Sequence, residues 1–141
     1  MSPNVYSEIF LHLIWRTKDN ISMITGLVET ELHKYLKHRI CETEGAYCHG
    51  IGGTVDHVHL AVSVPPTVLV TDWIGELKGA SSHYINHNVK DKSLQWQAGY
   101  GVVSFGKNNL DFVKNYIENQ KEHHANGKIH DRLERIEAEG G

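Results

Sequence analysis

The sequence predicts an α+β domain in which an antiparallel sheet carries helices on one face, the ferredoxin-like or split βαβ arrangement. Hydrophobic periodicity places elements in the order strand, helix, strand, strand, helix, strand, followed by a further helix that bears a tyrosine. The 141 residues, 40% of them hydrophobic, are enough for one compact domain with its own core. No internal repeat or low-complexity segment interrupts this order.

The first half of the chain is predicted to form a strand, a helix and the start of a hairpin. Residues 5–17 alternate between the two faces of a strand, with Leu13 and Trp15 on the same side. Residues 27–43 have apolar side chains at helical spacing and predict an amphipathic helix. Residues 46–52 predict the second strand, which a glycine-containing turn joins to the next.

The second half continues the pattern. Residues 57–64 predict a strand that ends at two consecutive prolines. A helix is expected from residue 71 or 72 to about residue 88, capped by Thr71 or Asp72. Residues 102–105 predict a short strand, and residues 110–124 a helix. One domain is therefore expected over residues 1–128, and residues 129–141 are expected to form a charged helix or tail.

The composition of the chain indicates its cellular location more clearly than its binding partners. No apolar run is long enough to span a membrane and no signal-peptide pattern is present, so we expect a cytoplasmic protein without membrane contact. The two cysteines indicate free thiols rather than a disulfide framework. The formal net charge of −3 does not indicate a nucleic-acid binder, but the 11 histidines add positive charge near or below neutral pH. Charge alone neither supports nor excludes DNA as a partner.

Two histidines lie two residues apart on the predicted third strand. Val58 and Leu60 share the core face of that strand, whereas His57 and His59 share the opposite face. Two imidazoles held side by side on a strand are half of a metal site. A His-x-His pattern is more often structural than metal-binding, so the pattern alone leaves both interpretations open.

A tyrosine and a glutamine lie one turn apart on the predicted last helix. Tyr116 and Gln120 have i,i+4 spacing and share a helical face. A tyrosine hydroxyl, with a pKa of about 10, is a weak nucleophile unless a cation or base assists it. A divalent metal helps by binding phosphate oxygens, and two imidazoles with one amide oxygen suit Mn²⁺ better than Mg²⁺. Spacing shows only that these groups could meet; core packing and a surface amide remain the commoner roles.

At these residues the chain resembles the single-tyrosine HUH transposases of small insertion sequences and the related REP-associated tyrosine transposases. HUH denotes histidine, bulky hydrophobe, histidine, here residues 57–59. The resemblance covers nearly the whole chain and includes five segments in order: residues 14–18 (IWRTK), 55–60 (VDHVHL), 77–82 (LKGASS), 96–101 (WQAGYG) and 116–120 (YIENQ).

The resemblance implies a DNA transposase. Tyr116 would attack a phosphodiester of single-stranded DNA, form a 5′-phosphotyrosine link and free a 3′-hydroxyl, and a second 3′-hydroxyl would reverse the step. His57, His59 and Gln120 would hold a divalent metal, Mg²⁺ or Mn²⁺. The implied partners are DNA hairpins at element ends and a second copy of the chain. In such a homodimer the tyrosine helix of one subunit can complete the histidine site of the other.

Other polar residues are weaker candidates. Asp56 is at best a hydrogen-bond partner of a metal-binding residue and not itself a ligand, because strand parity places its side chain on the core side. Solvated loops and ordinary helix surfaces are common alternatives for the residues predicted to contact DNA phosphates, which are Arg16, Lys18, Lys78, Ser81 and Ser82.

Two other functions remain open at this stage. A non-catalytic ferredoxin-like nucleic-acid-binding module would explain the fold but leave the histidine and tyrosine pairs as coincidences. A domesticated HUH endonuclease would share the chemistry. Replication initiators are disfavoured because they place a lysine three or four residues after the tyrosine, where this chain has Asn119 and Gln120.

Overall fold

The computed structural model describes residues 4–125, 127 and 130–136, and for residues 123–125 it describes the backbone alone. The predicted order of elements is confirmed. The last predicted helix differs, because it is interrupted at Asn119, whose φ of −111° and ψ of 28° are not helical. The strands and α-helices are β1 (Phe10–Arg16), α1 (Gly26–Cys41), β2 (Tyr47–Thr54), β3 (His57–Ser63), α2 (Val70–Asn88), β4 (Gly101–Phe105), α3 (Leu110–Glu118), α4 (Gln120–Ala125) and α5 (Asp131–Glu134).

The sheet has the strand order β2-β3-β1-β4, and every neighbouring pair is antiparallel. Strands β1 and β3 are therefore central, with Arg16 opposite His57 and Ile14 opposite His59. A two-residue turn at Val55 and Asp56 joins β2 to β3. The predicted split βαβ arrangement is confirmed, and its two central strands carry the candidate site.

Helices α1 and α2 pack against one face of the sheet. The apolar residues that alternate along β1 and β3 turn to this face and are almost completely buried. Each such aliphatic side chain contributes about 1.5–3 kcal/mol through removal from water. This core includes Leu13, Trp15, Val58, Leu60 and Val62 from the sheet and Leu32, Leu36, Ile74, Leu77 and Ile85 from the helices.

Helix α3 covers the opposite face, so the sheet is not open on that side. Val113 and Ile117 pack on Ala61 of β3. The backbone of α3 approaches β2 closely because Gly52 has no side chain: a Cβ there would lie 2.1 Å from the Ile117 carbonyl oxygen. The expectation of helices on one face is accurate for α1 and α2, and α3 occupies the other face.

The chain beyond residue 128 also contacts the sheet where it is described. Leu133 is buried, and the Arg132 guanidinium donates a hydrogen bond of 2.6 Å to the Ser104 carbonyl oxygen. Gly101 admits the Arg135 carbonyl oxygen, which would lie 2.0 Å from a Cβ at that position. Residues 130–136 therefore pack on the domain expected for residues 1–128; residues 129 and 137–141 lie outside the described residues. Among the described helices, none has both the length and the apolar character needed to cross a membrane.

The contact between α3 and β2 predicts the effect of a single methyl group. Gly52→Ala places a Cβ against backbone that cannot rotate away, so α3 must shift. We expect the free energy of unfolding to fall by about 1–3 kcal/mol, the usual cost of overpacking. Urea unfolding followed by circular dichroism measures this change.

Gly75→Ala is the matched control. Gly75 lies within α2 and a Cβ there meets no atom within 4 Å. Alanine is the better helix former, so this variant should gain about 0.5–1 kcal/mol. A Gly52→Ala protein as stable as the unsubstituted chain would contradict the close approach.

Candidate active site

The two histidines of β3 lie in a closed site between the sheet and the C-terminal helices. Their side chains are only 1% exposed for His57 and fully buried for His59. The ring centroids lie 5.0 Å apart, with the ring planes at 72° to each other. Imidazole rings buried this deeply need hydrogen-bond partners, and each partner restricts which ring nitrogen can carry the proton.

The residues that directly precede His57 supply two hydrogen-bond partners for its Nδ1. Its Nδ1 lies 2.8 Å from Asp56 Oδ1 and 2.8 Å from Thr54 Oγ1. Burial acts to raise the pKa of Asp56, but the hydrogen bonds from His57 and Thr54 hold it below its usual value. A carboxylate that accepts a hydrogen bond from Nδ1 leaves the Nε2 lone pair directed into the site. Asp56 therefore lies on the Nδ1 side of the His57 ring, in a turn conformation that strand parity alone did not predict.

His59 has a different partner, His12 of β1. His12 Nε2 lies 2.8 Å from His59 Nδ1, and the His12 side chain is 1% exposed. Burial, and next the neighbouring His59, lower the pKa of His12 to about 3, so His12 is a neutral imidazole at physiological pH. Alternation along the first strand puts His12 on the face opposite Leu13, but it did not identify His12 as a site residue. Only the pairing of β1 with β3 brings the two rings together.

Tyr116 reaches the histidines because α3 docks on their face of the sheet. Its ring centroid lies 6.1 Å from that of His59, in an edge-on arrangement. The hydroxyl donates a hydrogen bond of 2.5 Å to Glu134 Oε2 and accepts one of 2.8 Å from the His130 backbone N–H. Burial, followed by the hydrogen bond to Glu134, raises the pKa of Tyr116 to about 12. Tyr116 is therefore a phenol at neutral pH.

Gln120 begins α4, directly after the break at Asn119. Its Oε1 lies 3.3 Å from His57 Nε2, and its Nε2 donates a hydrogen bond of 3.1 Å to the Tyr116 carbonyl oxygen. Because the amide nitrogen is used in this way, the amide oxygen is the atom that faces His57. The i,i+4 pair expected from the sequence thus survives the helix break and borders the same site.

Glu134 of α5 lies at the centre of the site. Its Oε2 is 3.3 Å from His59 Nε2, and its Oε1 is 3.7 Å from His57 Nε2. Burial acts to raise the pKa of Glu134, but the hydrogen bond and charge of His59 and the hydrogen bond from Tyr116 outweigh it and lower the pKa to about 2. Glu134 was not predicted as a site residue, because it lies in the segment expected to form a charged helix or tail. No local signal distinguishes it from the other acids there.

These side chains offer a donor set that fits a divalent cation. One ligand atom each from His57, His59 and Glu134 all lie within 4.8 Å of one another, and the Gln120 amide oxygen borders them. Two imidazole nitrogens suit Mn²⁺ and related ions, and oxygen donors also suit Mg²⁺. His57, His59 and Glu134 could therefore bind a metal, with Gln120 beside them.

A cavity of about 650 Å³ borders the site and has Glu134 among its lining residues. Arg16 and Arg135 line it together with backbone and polar groups of residues 97–99. Lys18 is exposed and belongs to the turn that follows β1. Of the predicted phosphate contacts, Arg16 is the one that the structure brings to this cavity.

The candidates on α2 make hydrogen bonds within the protein. Lys78 Nζ donates to the carbonyl oxygens of Gln97 and Gly99, at 2.8 and 2.9 Å. Ser81 is fully buried, and its hydroxyl accepts a hydrogen bond of 3.1 Å from Trp96 Nε1. Ser82 donates to the carbonyl oxygen of Gly79 at 3.2 Å. In this structure Lys78 and Ser81 stabilise the segment that lines the cavity.

Comparisons with known proteins agree on one family. The profile of the family described as "Transposase IS200 like" matches residues 5–120. The chain is 28% identical over 119 residues to the ISDra2 transposase TnpA of Deinococcus radiodurans, covering 80% of this chain and 84% of that protein. It is also 28% identical over 92 residues to the transposase for insertion sequence element IS200 of Salmonella typhimurium. That match covers 59% of this chain, which spans about 60% of the length of the relative.

Solved structures show the same fold. A putative transposase from Deinococcus radiodurans R1 superposes with a TM-score of 0.67 at 24% identity, covering 85% of this chain and 96% of that one. A REP-associated tyrosine transposase bound to a REP hairpin superposes with a TM-score of 0.58 at 12% identity, covering 92% of this chain and 76% of that one. Since the family profile matches most of the sequence, this chain belongs to the IS200-like transposase family.

Proposed function

We propose that this protein cleaves and rejoins single-stranded DNA at the ends of an insertion element through a 5′-phosphotyrosine intermediate on Tyr116. One observation carries the proposal: a single buried site brings the Tyr116 hydroxyl together with His59 and a carboxylate that could share a cation. A non-catalytic binding module would have no need of this cluster. Membership of the IS200-like transposase family supports DNA cleavage and strand transfer as its purpose.

The chemistry exchanges one phosphate ester for another. The Tyr116 oxygen forms a bond to phosphorus, the bond to the 3′ oxygen breaks, and that oxygen leaves as a 3′-hydroxyl after taking up a proton. The proton lost by the phenol, which donates a hydrogen bond to Glu134 Oε2 in this structure, balances the proton that the 3′ oxygen takes up. Attack by a second 3′-hydroxyl reverses the sequence and restores the tyrosine. No hydrolysis or external energy source is needed, because the number of ester bonds does not change.

We infer that His57, His59 and Gln120 hold the divalent cation, Mg²⁺ or Mn²⁺, with Glu134 contributing its carboxylate. When bound, the cation would neutralise the charge of the phosphate as the hydroxyl attacks. Asp56 supports this role by fixing the orientation of His57. The protein residues orient the nucleophile and exclude water from it, since Tyr116 is only 5% exposed.

Single-stranded DNA with hairpins at the element ends is the partner we propose. The hairpin carried by the REP-associated relative supports this class of ligand. Arg16 and Glu134 line the same cavity, and Arg16 with Lys18 could contact the phosphates of the bound strand. Lys78 and Ser82 would add contacts from α2 once DNA replaces their internal partners. We expect the protein to act in the cytoplasm as a homodimer. In this homodimer α3 can serve either its own sheet or that of the partner.

The nucleophile assignment predicts a covalent adduct. When the protein is incubated with a labelled single-stranded element end and Mn²⁺ or Mg²⁺, we expect an SDS-resistant adduct that Tyr116→Phe reduces below detection, because phenylalanine keeps the ring but lacks the oxygen. Tyr84→Phe is the matched control, since Tyr84 stacks on Tyr35 between α1 and α2 and should leave the adduct unchanged. An undiminished adduct in Tyr116→Phe would exclude this tyrosine.

The metal assignment separates cleavage from binding. His57→Ala removes one ligand but leaves the surface of the protein intact, so cleavage should fall by more than about 100-fold while hairpin affinity is kept. Cleavage gels and fluorescence anisotropy measure the two quantities. His83→Ala, on the exposed side of α2, is expected to alter neither. Unchanged cleavage in His57→Ala would remove the metal role from this residue.

The contact between Glu134 and Tyr116 predicts a change in ionisation. Glu134→Gln removes the negative charge that helps to raise the pKa of Tyr116, so that pKa should fall from about 12 toward 10. Titration of the tyrosine Cζ resonances by ¹³C NMR, assigned with Tyr116→Phe, measures it. Asp131→Asn is the control, because Asp131 lies on the same helix and is paired with Arg135 at the surface. A Tyr116 that ionises equally in both variants would show that Glu134 does not act on it.

A further inference from the structure

His12 makes a contact in the site that the proposed chemistry does not use. It lies on β1, outside the pair of histidines that the sequence motif contains, and its side chain is almost completely buried. The ring centroids of His12 and His59 are 5.0 Å apart, and one hydrogen bond of 2.8 Å joins their facing nitrogens. A hydrogen bond between two ring nitrogens requires that one of them carries the proton and the other accepts it.

The position of that proton decides what His59 can bind. A cation at His59 Nε2 needs the lone pair of that nitrogen, so the proton of the neutral ring must lie on Nδ1. The Nδ1–H then requires an acceptor, and the atom facing it is His12 Nε2. Without a cation, an Nε2–H directed at Glu134 Oε2, 3.3 Å away, is the favourable alternative, and His12 Nε2 then donates instead. An imidazole at position 12 serves both states because its Nε2 either donates or accepts.

We propose that His12 is a positioning residue: its Nε2 accepts the Nδ1–H of His59 and so holds His59 in the tautomer whose Nε2 lone pair faces the site. The pairing of the two central strands fixes the distance between the rings. The two histidines of the motif thus differ in their hydrogen-bond partners. The Asp56 carboxylate lies at His57 Nδ1, and the His12 ring lies at His59 Nδ1. The inference rests on the cation site of the proposed function.

Substitution of His12 by glutamine and by methionine distinguishes the effect of hydrogen bonding from that of packing. The two side chains have similar length and volume, but only the glutamine amide oxygen is a strong acceptor near the place of the imidazole Nε2. We expect His12→Met to weaken Mn²⁺ binding by about 10- to 100-fold and His12→Gln to weaken it by no more than about threefold. Electron paramagnetic resonance of free Mn²⁺, without DNA, measures the affinity.

Equal Mn²⁺ affinity in His12→Met and the unsubstituted chain would overturn the role of His12 and leave the proposed function standing. If the unsubstituted chain itself binds no Mn²⁺, the cation site of the proposed function fails, and this inference fails with it. The two failures are therefore distinguishable in one experiment.

Nuclear magnetic resonance gives a second readout that needs no substitution. Long-range ¹⁵N–¹H spectra of the histidine rings, recorded with and without saturating Mg²⁺, report which nitrogen of His59 carries the proton. We expect Nδ1–H with Mg²⁺ bound. A His59 that keeps its proton on Nε2 in the Mg²⁺ complex would overturn the inference, even if the His12→Met protein did not fold.

Discussion

The close approach of the α3 backbone to strand β2 is the contact on which the candidate site depends. A glycine at position 52 lets the Ile117 carbonyl oxygen lie where a side chain would otherwise stand. The neighbouring residue Tyr116 is thereby brought over the histidines of β3, and Gln120 follows after the helix break. Gly101 does the same for the C-terminal segment that carries Glu134. Small residues on one sheet face thus permit two backbone segments to close over the site.

Closing the site buries several polar groups, and their mutual hydrogen bonds compensate for the lost water. The Glu134 carboxylate accepts the Tyr116 hydrogen bond and lies beside both histidines of the motif. Burial raises the pKa of Tyr116. In the same site the hydrogen bond and charge of His59 lower the pKa of Glu134. The site thus combines a phenol, a carboxylate and two imidazoles in one buried space, and the carboxylate and imidazoles could hold a metal ion.

Much of the fold could be predicted because periodicity reports local burial. Alternation along β1 and β3 separated the core face of Leu13 and Leu60 from the face of His57, and the structure confirms that division. The helix break at Asn119 was missed, since no glycine or proline there signals it in the sequence. Glu134 was missed for a different reason: an acid among other acids has no periodic signal, and its role depends on a contact with residues more than seventy positions earlier.

The sequence by itself determined the order of elements, the strand faces of His57 and His59, and the i,i+4 spacing of Tyr116 and Gln120. These are local properties, set by backbone geometry within a few residues. Only the tertiary structure decided that α3 covers the sheet, that His12 supports His59 and that Glu134 stands between tyrosine and histidines. Such relations depend on strand register and on how closely two backbones can approach, which are set by contacts between residues far apart in the chain.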